Sequence, residues 1–164
     1  MASLADNPFA ALTIVVAPAI LTNASSVLSL GTGNRIARVI DRTRALRAEL
    51  LRVDPTSAAH ATYQQQLDRL KTRAGMLLRA LRFFYMSIGA FAAAALVSII
   101  GSLLVTVSFP AAFEVMAGVG LVAGTVGVAG LVIGCTTMVS EIRLAVRFLE
   151  EEADLAGAGD DITT

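Results

Sequence analysis

Between Thr22 and Asn34 the chain sets out Thr22, Asn23, Ser25, Ser26, Ser29 and Thr32 in a stretch free of Asp, Glu, Lys and Arg. At about 100° per residue, five of these gather on roughly a third of a helix's circumference, with Asn23 at the margin. Hydroxyls and amides can replace part of an ion's hydration shell, so the stripe is a candidate pore lining around an oligomer axis. The same groups could instead hydrogen-bond to neighbouring helices, at about 0.6 kcal/mol each in a membrane. Pro18 on one side and Gly31 with Gly33 on the other weaken the helix ladder and are candidate hinge positions. On an unbroken helix Ile36 and Ile40 continue the stripe as an apolar gate. Arg35, Arg38 and Arg42 project nearly opposite, as a basic face that reaches the pore only if the glycines rotate the helix.

Other chemistry is thin. The chain has one His and one Cys, His60 and Cys135, in separate segments, so no Ser-His, Cys-His or metal-ligand spacing exists and no catalytic, metal or cofactor residue is assigned. Asp41 and Glu49 lie among arginines and read as salt-bridge partners. Gly118-x-Gly120 lacks the preceding strand that a phosphate-binding loop needs. An enzyme is not expected, and neither is a nucleic-acid partner.

The elements that must carry the stripe follow from where charge is absent. No Asp, Glu, Lys or Arg occurs from Asn7 to Asn34, from Phe83 to Phe113 or from Val115 to Ser140. About 20 apolar residues cross a bilayer core. Hydrophobic residues make up 55% of the chain and charged ones 16%, against about 25% charged in a soluble domain. These figures and the single cysteine exclude disorder, a disulfide scaffold and an ordinary soluble fold. Residues 35–82 hold 11 Lys/Arg and 4 Asp/Glu, which puts that segment in the cytoplasm with the N-terminus outside and the C-terminus inside. The acidic flank before Pro8 argues against a cleaved signal sequence.

The expected fold is an all-α integral membrane protein with three transmembrane helices, 7–34, 83–108 and 114–140. A cytoplasmic helical hairpin over 35–82 separates the first two, a C-terminal cytoplasmic helix covers 141–155, and 156–164 is a flexible acidic tail. Asn7 and Pro8 suit a helix start. Asp54-Pro55 should turn the hairpin, Asp54 capping the next helix and Pro55 starting it. Ile36, Ile40, Thr43 and Leu46 or Leu50 mark one apolar face of the hairpin; Tyr63, Leu67, Leu70, Ala74, Leu77 and Leu81 mark the other. Gly120-x-x-x-Gly124 and Gly130-x-x-x-Gly134 would let helices approach closely. Leu144, Phe148 and Leu149 would hold the last helix against the hairpin.

The segments Asn7-Pro-Phe-Ala-Ala-Leu-Thr13, Val16-Ala-Pro-Ala-Ile-Leu-Thr-Asn-Ala-Ser-Ser-Val-Leu28, Asn34-Arg35 and Val39-Ile-Asp-Arg-Thr-Arg44, with the ending Glu141-Ile-Arg-Leu-Ala-Val-Arg147, resemble a bacterial membrane family, domain of unknown function 2721. The resemblance implies a small inner-membrane protein and supplies no catalytic residues. The reading expected from the stripe is a cyclic homo-oligomeric channel that conducts small ions, with the lipid bilayer and its own copies as partners. The alternative is a non-conducting structural or regulatory module whose basic hairpin binds a partner or anionic lipid.

Overall fold

A computed structural model describes the backbone of residues 8–106 and 110–160, and the side chains of 16–101 and 114–148. The described residues form three long helices, α1 (Pro8–Leu50), α2 (Ala58–Thr106) and α3 (Pro110–Asp160). Pro8 opens α1 at the position where its missing N–H costs nothing; Asn7 and residues 161–164 lie outside the described residues. α1 continues through Pro18, Gly31 and Gly33. α3 likewise runs on past Ser140, so the separate helix expected at 141–155 is a continuation of it. The expected flexible tail is helical as far as Asp160.

Between α1 and α2 the turn falls where Asp54-Pro55 predicts it, with different chemistry. The Asp54 carboxylate accepts hydrogen bonds from the Thr56 backbone N–H at 2.9 Å and the Thr56 hydroxyl at 2.7 Å, which closes a local turn. Ser57 is the residue that caps α2, its Oγ accepting from the His60 N–H at 3.2 Å. Pro55 precedes the helix instead of starting it, because Asp54 is committed to the turn. The Thr56 hydroxyl, the Thr56 N–H and, less strongly, His60 hold the exposed Asp54 carboxyl below its ordinary range.

The chain divides into two compact units that each draw on all three helices. The first takes the described residues up to Gly31 and those between Leu81 and Gly134. Its interior comes mainly from α2 and α3, with Ser25 and Ser29 of α1 also buried. Phe84 and Phe91 are buried seven residues apart, as are Ser87, Ala94 and Gly101. Opposite them α3 presents buried glycines. A Cβ on Gly134 would lie 2.5 Å from the Phe84 ring, and one on Gly127 would lie 2.6 Å from the Phe91 ring. One on Gly130 would lie 2.7 Å from Ser87 Oγ and 3.3 Å from the Phe83 carbonyl. The Gly130/Gly134 pair therefore admits α2 closely, as small-xxx-small spacing predicts, whereas a Cβ on Gly124 would meet nothing. Most large apolar side chains of this unit lie on its outside: Leu96 is 61% exposed and Leu121 74%. Two helices, α2 over Ala58–Gly101 and α3 over Glu114–Phe148, are long and apolar enough to cross a membrane, and little of their apolar surface is buried. A bilayer accounts for such a surface, because water would not tolerate it.

The second unit takes Thr32–Ala80 and the described residues from Cys135 onward. Val39 and Leu46 of α1 and Leu67, Leu77 and Ala80 of α2 are buried in it. Ile40, expected on the buried face, is 42% exposed, and Val39 takes its place at 7%. The buried line of α1 runs Ser25, Ser29, Thr32, Val39, Leu46, with Ile36, Thr43 and Leu50 half-buried between. That spacing repeats every seven residues. A seven-residue repeat drifts by about 20° per repeat against a straight 3.6-residue helix, and over two repeats this carries Ile40 off the line and Val39 onto it.

Candidate functional site

Buried polar groups mark where a fold commits to chemistry other than packing. Among the described residues these are Ser25, Ser29, Thr32, Ser87 and Glu141. The hydroxyls are largely satisfied by their own helices. Thr22 donates to the Pro18 carbonyl at 2.8 Å, Ser26 to Thr22 at 2.9 Å, Ser29 to Ser25 at 2.9 Å and Ser87 to Phe83 at 2.9 Å, each four residues back. Thr32 donates to the Met138 sulfur at 3.7 Å. Ser25 Oγ is buried with no hydrogen-bond partner among the described residues.

The six stripe residues thus occupy different environments. Ser25, Ser29 and Thr32 are enclosed by the chain's own packing, Thr22 is half-buried, and Asn23 and Ser26 are exposed. Of the hinge and gate positions, Pro18, Gly33 and Ile36 are half-buried and Gly31 and Ile40 exposed. A Cβ on Gly31 or Gly33 would meet nothing within 4 Å, so neither glycine is required for packing within the chain.

Glu141 is the one carboxylate buried among the described residues, at 2% exposure. It sits on the same seven-residue column of α3 as Gly127 and Gly134, which forces its side chain inward. A carboxylate can stay charged there only with cations at hand. Arg73 of α2 supplies one, its Nε donating to Oε1 at 2.8 Å, a charge-assisted bond. Arg35 of α1 supplies the second, its terminal nitrogen 3.8 Å from Oε2. One side chain from each helix therefore meets at one point. A turn along α2, the Arg69 guanidinium stacks over the Phe148 ring at 4.5 Å.

Two cations around one anion leave the cluster with a net positive charge. Its arginines are 33% and 42% exposed, and a guanidinium carries five N–H donors, so both keep capacity for an outside anion. Arg35 does not project opposite the stripe, as an ideal helix predicts; it lies three residues along from Thr32, at the edge of the buried line. Arg38 and Arg42 are exposed. Asp41 pairs with Arg44, at 3.9 Å on the surface. No group of three or more His, Cys, Asp or Glu able to hold a metal occurs among the described residues.

Sequence reasoning missed Arg73 and Glu141. The available signal was position: Glu141 is the first charge after the stretch Val115–Ser140, in step with the α3 glycines. The family model described as protein of unknown function (DUF2721) matches residues 15–151. The chain belongs to this family. The stretch shared with DUF2721 contains the hydroxyl line and the whole Arg35–Arg73–Glu141 cluster, while Asn7–Thr13 falls outside it. No curated protein and no solved structure matches the chain.

Proposed function

We propose that this DUF2721 protein is a non-conducting structural module of the bacterial inner membrane that holds anionic lipid headgroups at its basic, cytoplasmic end. It crosses the bilayer three times, N-terminus outside and C-terminus inside, with 35–82 as the cytoplasmic hairpin. The observation that carries this reading is where the arginines stand. Arg38, Arg79, Arg82 and Arg143 are exposed, and each lies within a few residues of the end of a charge-free stretch. A basic residue near an anionic membrane surface contributes about 1 kcal/mol of attraction. The half-exposed Arg35 and Arg73 add donors that Glu141 does not use up. The enclosure of Ser25, Ser29 and Thr32 supports the non-conducting side of the reading, because these hydroxyls are buried inside one chain.

A conducting homo-oligomer is the second reading, favoured by one observation: Asn23 and Ser26 of α1 remain exposed. A single pair of measurements separates the two. Protein in nanodiscs of mixed phosphatidylcholine and phosphatidylglycerol should retain phosphatidylglycerol on native mass spectrometry, and Arg79→Gln with Arg82→Gln and Arg143→Gln should lose that enrichment. In liposomes the wild type should pass ions no faster than empty vesicles. Flux that Ser26→Leu abolishes would overturn the module and establish the channel.

A further inference from the structure

The outer line of α1 carries a pattern that the rest of the chain does not use. Val16, Ile20, Asn23, Val27, Leu30 and Asn34 follow one another at spacings of four and three, and all are exposed. Ile20 and Val27 are each 62% exposed and Leu30 68%. This is the a/d spacing of a coiled-coil seam, lying away from the buried seam that starts at Ser25. The two asparagines interrupt it. Neither side-chain amide makes a hydrogen bond among the described residues; on the three-span reading proposed above, on which this inference rests, Asn23 lies in hydrocarbon, which offers it no partner.

We propose that this line is the seam on which a second copy of the chain packs, α1 against α1, parallel and in register. An amide carries both donor and acceptor, so the group best matched to Asn23 is another Asn23. Copies insert with one orientation, which makes their α1 helices parallel and rules out the antiparallel pairing of Asn23 with Asn34. A symmetry axis along the helices then brings Asn23 to Asn23 and Asn34 to Asn34 together, and a shifted register satisfies neither. The line continues through Ala37, Asp41 and Arg44. The same axis sets Asp41 opposite Asp41 and Arg44 opposite Arg44, like charges that the ion pair within each chain, at 3.9 Å, partly neutralises. A polar residue inside an apolar seam fixes register and partner number.

The test is disulfide trapping of the full chain in native membranes, in a Cys135→Ser background. Val27→Cys and Leu30→Cys should give covalent dimers on oxidation; Leu96→Cys and Leu121→Cys, equally exposed on α2 and α3, should not. In parallel, energy transfer between labelled copies diluted in liposomes reads self-association. Asn23→Val, at an exposed position that leaves the fold intact, should weaken it about tenfold, and Asn23→Gln, which keeps the amide, should restore it. No trapping at Val27 and Leu30, trapping equal at all four sites, or self-association unchanged in Asn23→Val would each overturn the proposal.

Discussion

Removing the members of the Arg35–Arg73–Glu141 cluster one at a time should give an unequal series, with an order set by burial. Arg73→Ala strips the 2.8 Å bond from a carboxylate that is 2% exposed and leaves it only Arg35, at 3.8 Å. A buried charge that loses its main partner costs about 3–5 kcal/mol. Glu141→Ala removes the same bond but leaves two guanidiniums that are 33% and 42% exposed. These recover hydration, so the loss is nearer the worth of a charged hydrogen bond, about 1.5–3 kcal/mol. Arg35→Ala removes a long contact from a half-exposed side chain and should cost about 1 kcal/mol or less. The assay is unfolding of purified protein in a mild detergent, titrated with denaturing surfactant and followed by far-ultraviolet circular dichroism. Arg35→Ala as damaging as Arg73→Ala, or Glu141→Ala worse than Arg73→Ala, would refute the account in which the buried carboxylate decides the energetics.

Four further predictions use the same unfolding assay or a titration. Gly127→Ala and Gly134→Ala should each destabilise by about 1–3 kcal/mol, because the added Cβ falls 2.6 and 2.5 Å from the Phe91 and Phe84 rings. Gly31→Ala and Gly33→Ala, whose Cβ atoms meet nothing, should stabilise by up to about 1 kcal/mol each; the reverse order would show that the glycine positions are misread. Ser25→Ala removes a buried hydroxyl without a partner and should be neutral or stabilising by about 1 kcal/mol, and a clear loss of stability would reveal a partner for Ser25. Thr56→Val should raise the Asp54 pKa toward the ordinary carboxyl range, since the Thr56 hydroxyl is the largest cause of its depression. A depressed carboxyl adds stability that is present above its unfolded pKa and lost as pH falls through the folded one, so the variant should lose that increment at higher pH; an unchanged Asp54 titration by carboxyl-carbon NMR would contradict the turn geometry.

Three helices with a turn near Asp54-Pro55 were legible because charge-free stretches and a Pro-containing turn are local signals. The glycine pairing at Gly130 and Gly134 was legible for the same reason. What was not legible was which face of α1 turns inward. A 3.6-residue wheel merges Ser25 with Ser26 and Val39 with Ile40, whereas the buried line repeats every seven residues and separates them. That repeat reflects helices packed side by side over many turns, information that no single helix contains. Glu141 is not legible as a buried group because it stands beside Arg143 at the end of a charge-free stretch, where a local pattern does not tell a buried charge from a solvated one. Its partner Arg73 lies 68 residues away, beyond any local pattern.

The ionic cluster also resolves an ambiguity that the glycine packing leaves open. Along α2 and α3 the contacts run in opposite directions, Phe84 at Gly134, Phe91 at Gly127 and Val97 near Gly120. Phenyl rings seven residues apart meet glycines seven residues apart, so sliding α3 by seven residues would again seat a ring on a glycine. Packing of that kind discriminates poorly between registers. Glu141 does discriminate. The same slide would take its carboxylate off Arg73, to the level of Gln66 in one direction, one turn from an Arg69 that stacks on Phe148, or of Ala80 in the other, beside the exposed Arg79. A buried carboxylate that loses its well-placed cation costs several kcal/mol. The 2.8 Å bond from Arg73 thus favours the observed register of α2 and α3 within the cluster's own unit, and register-setting is the best-attested use of buried polar groups.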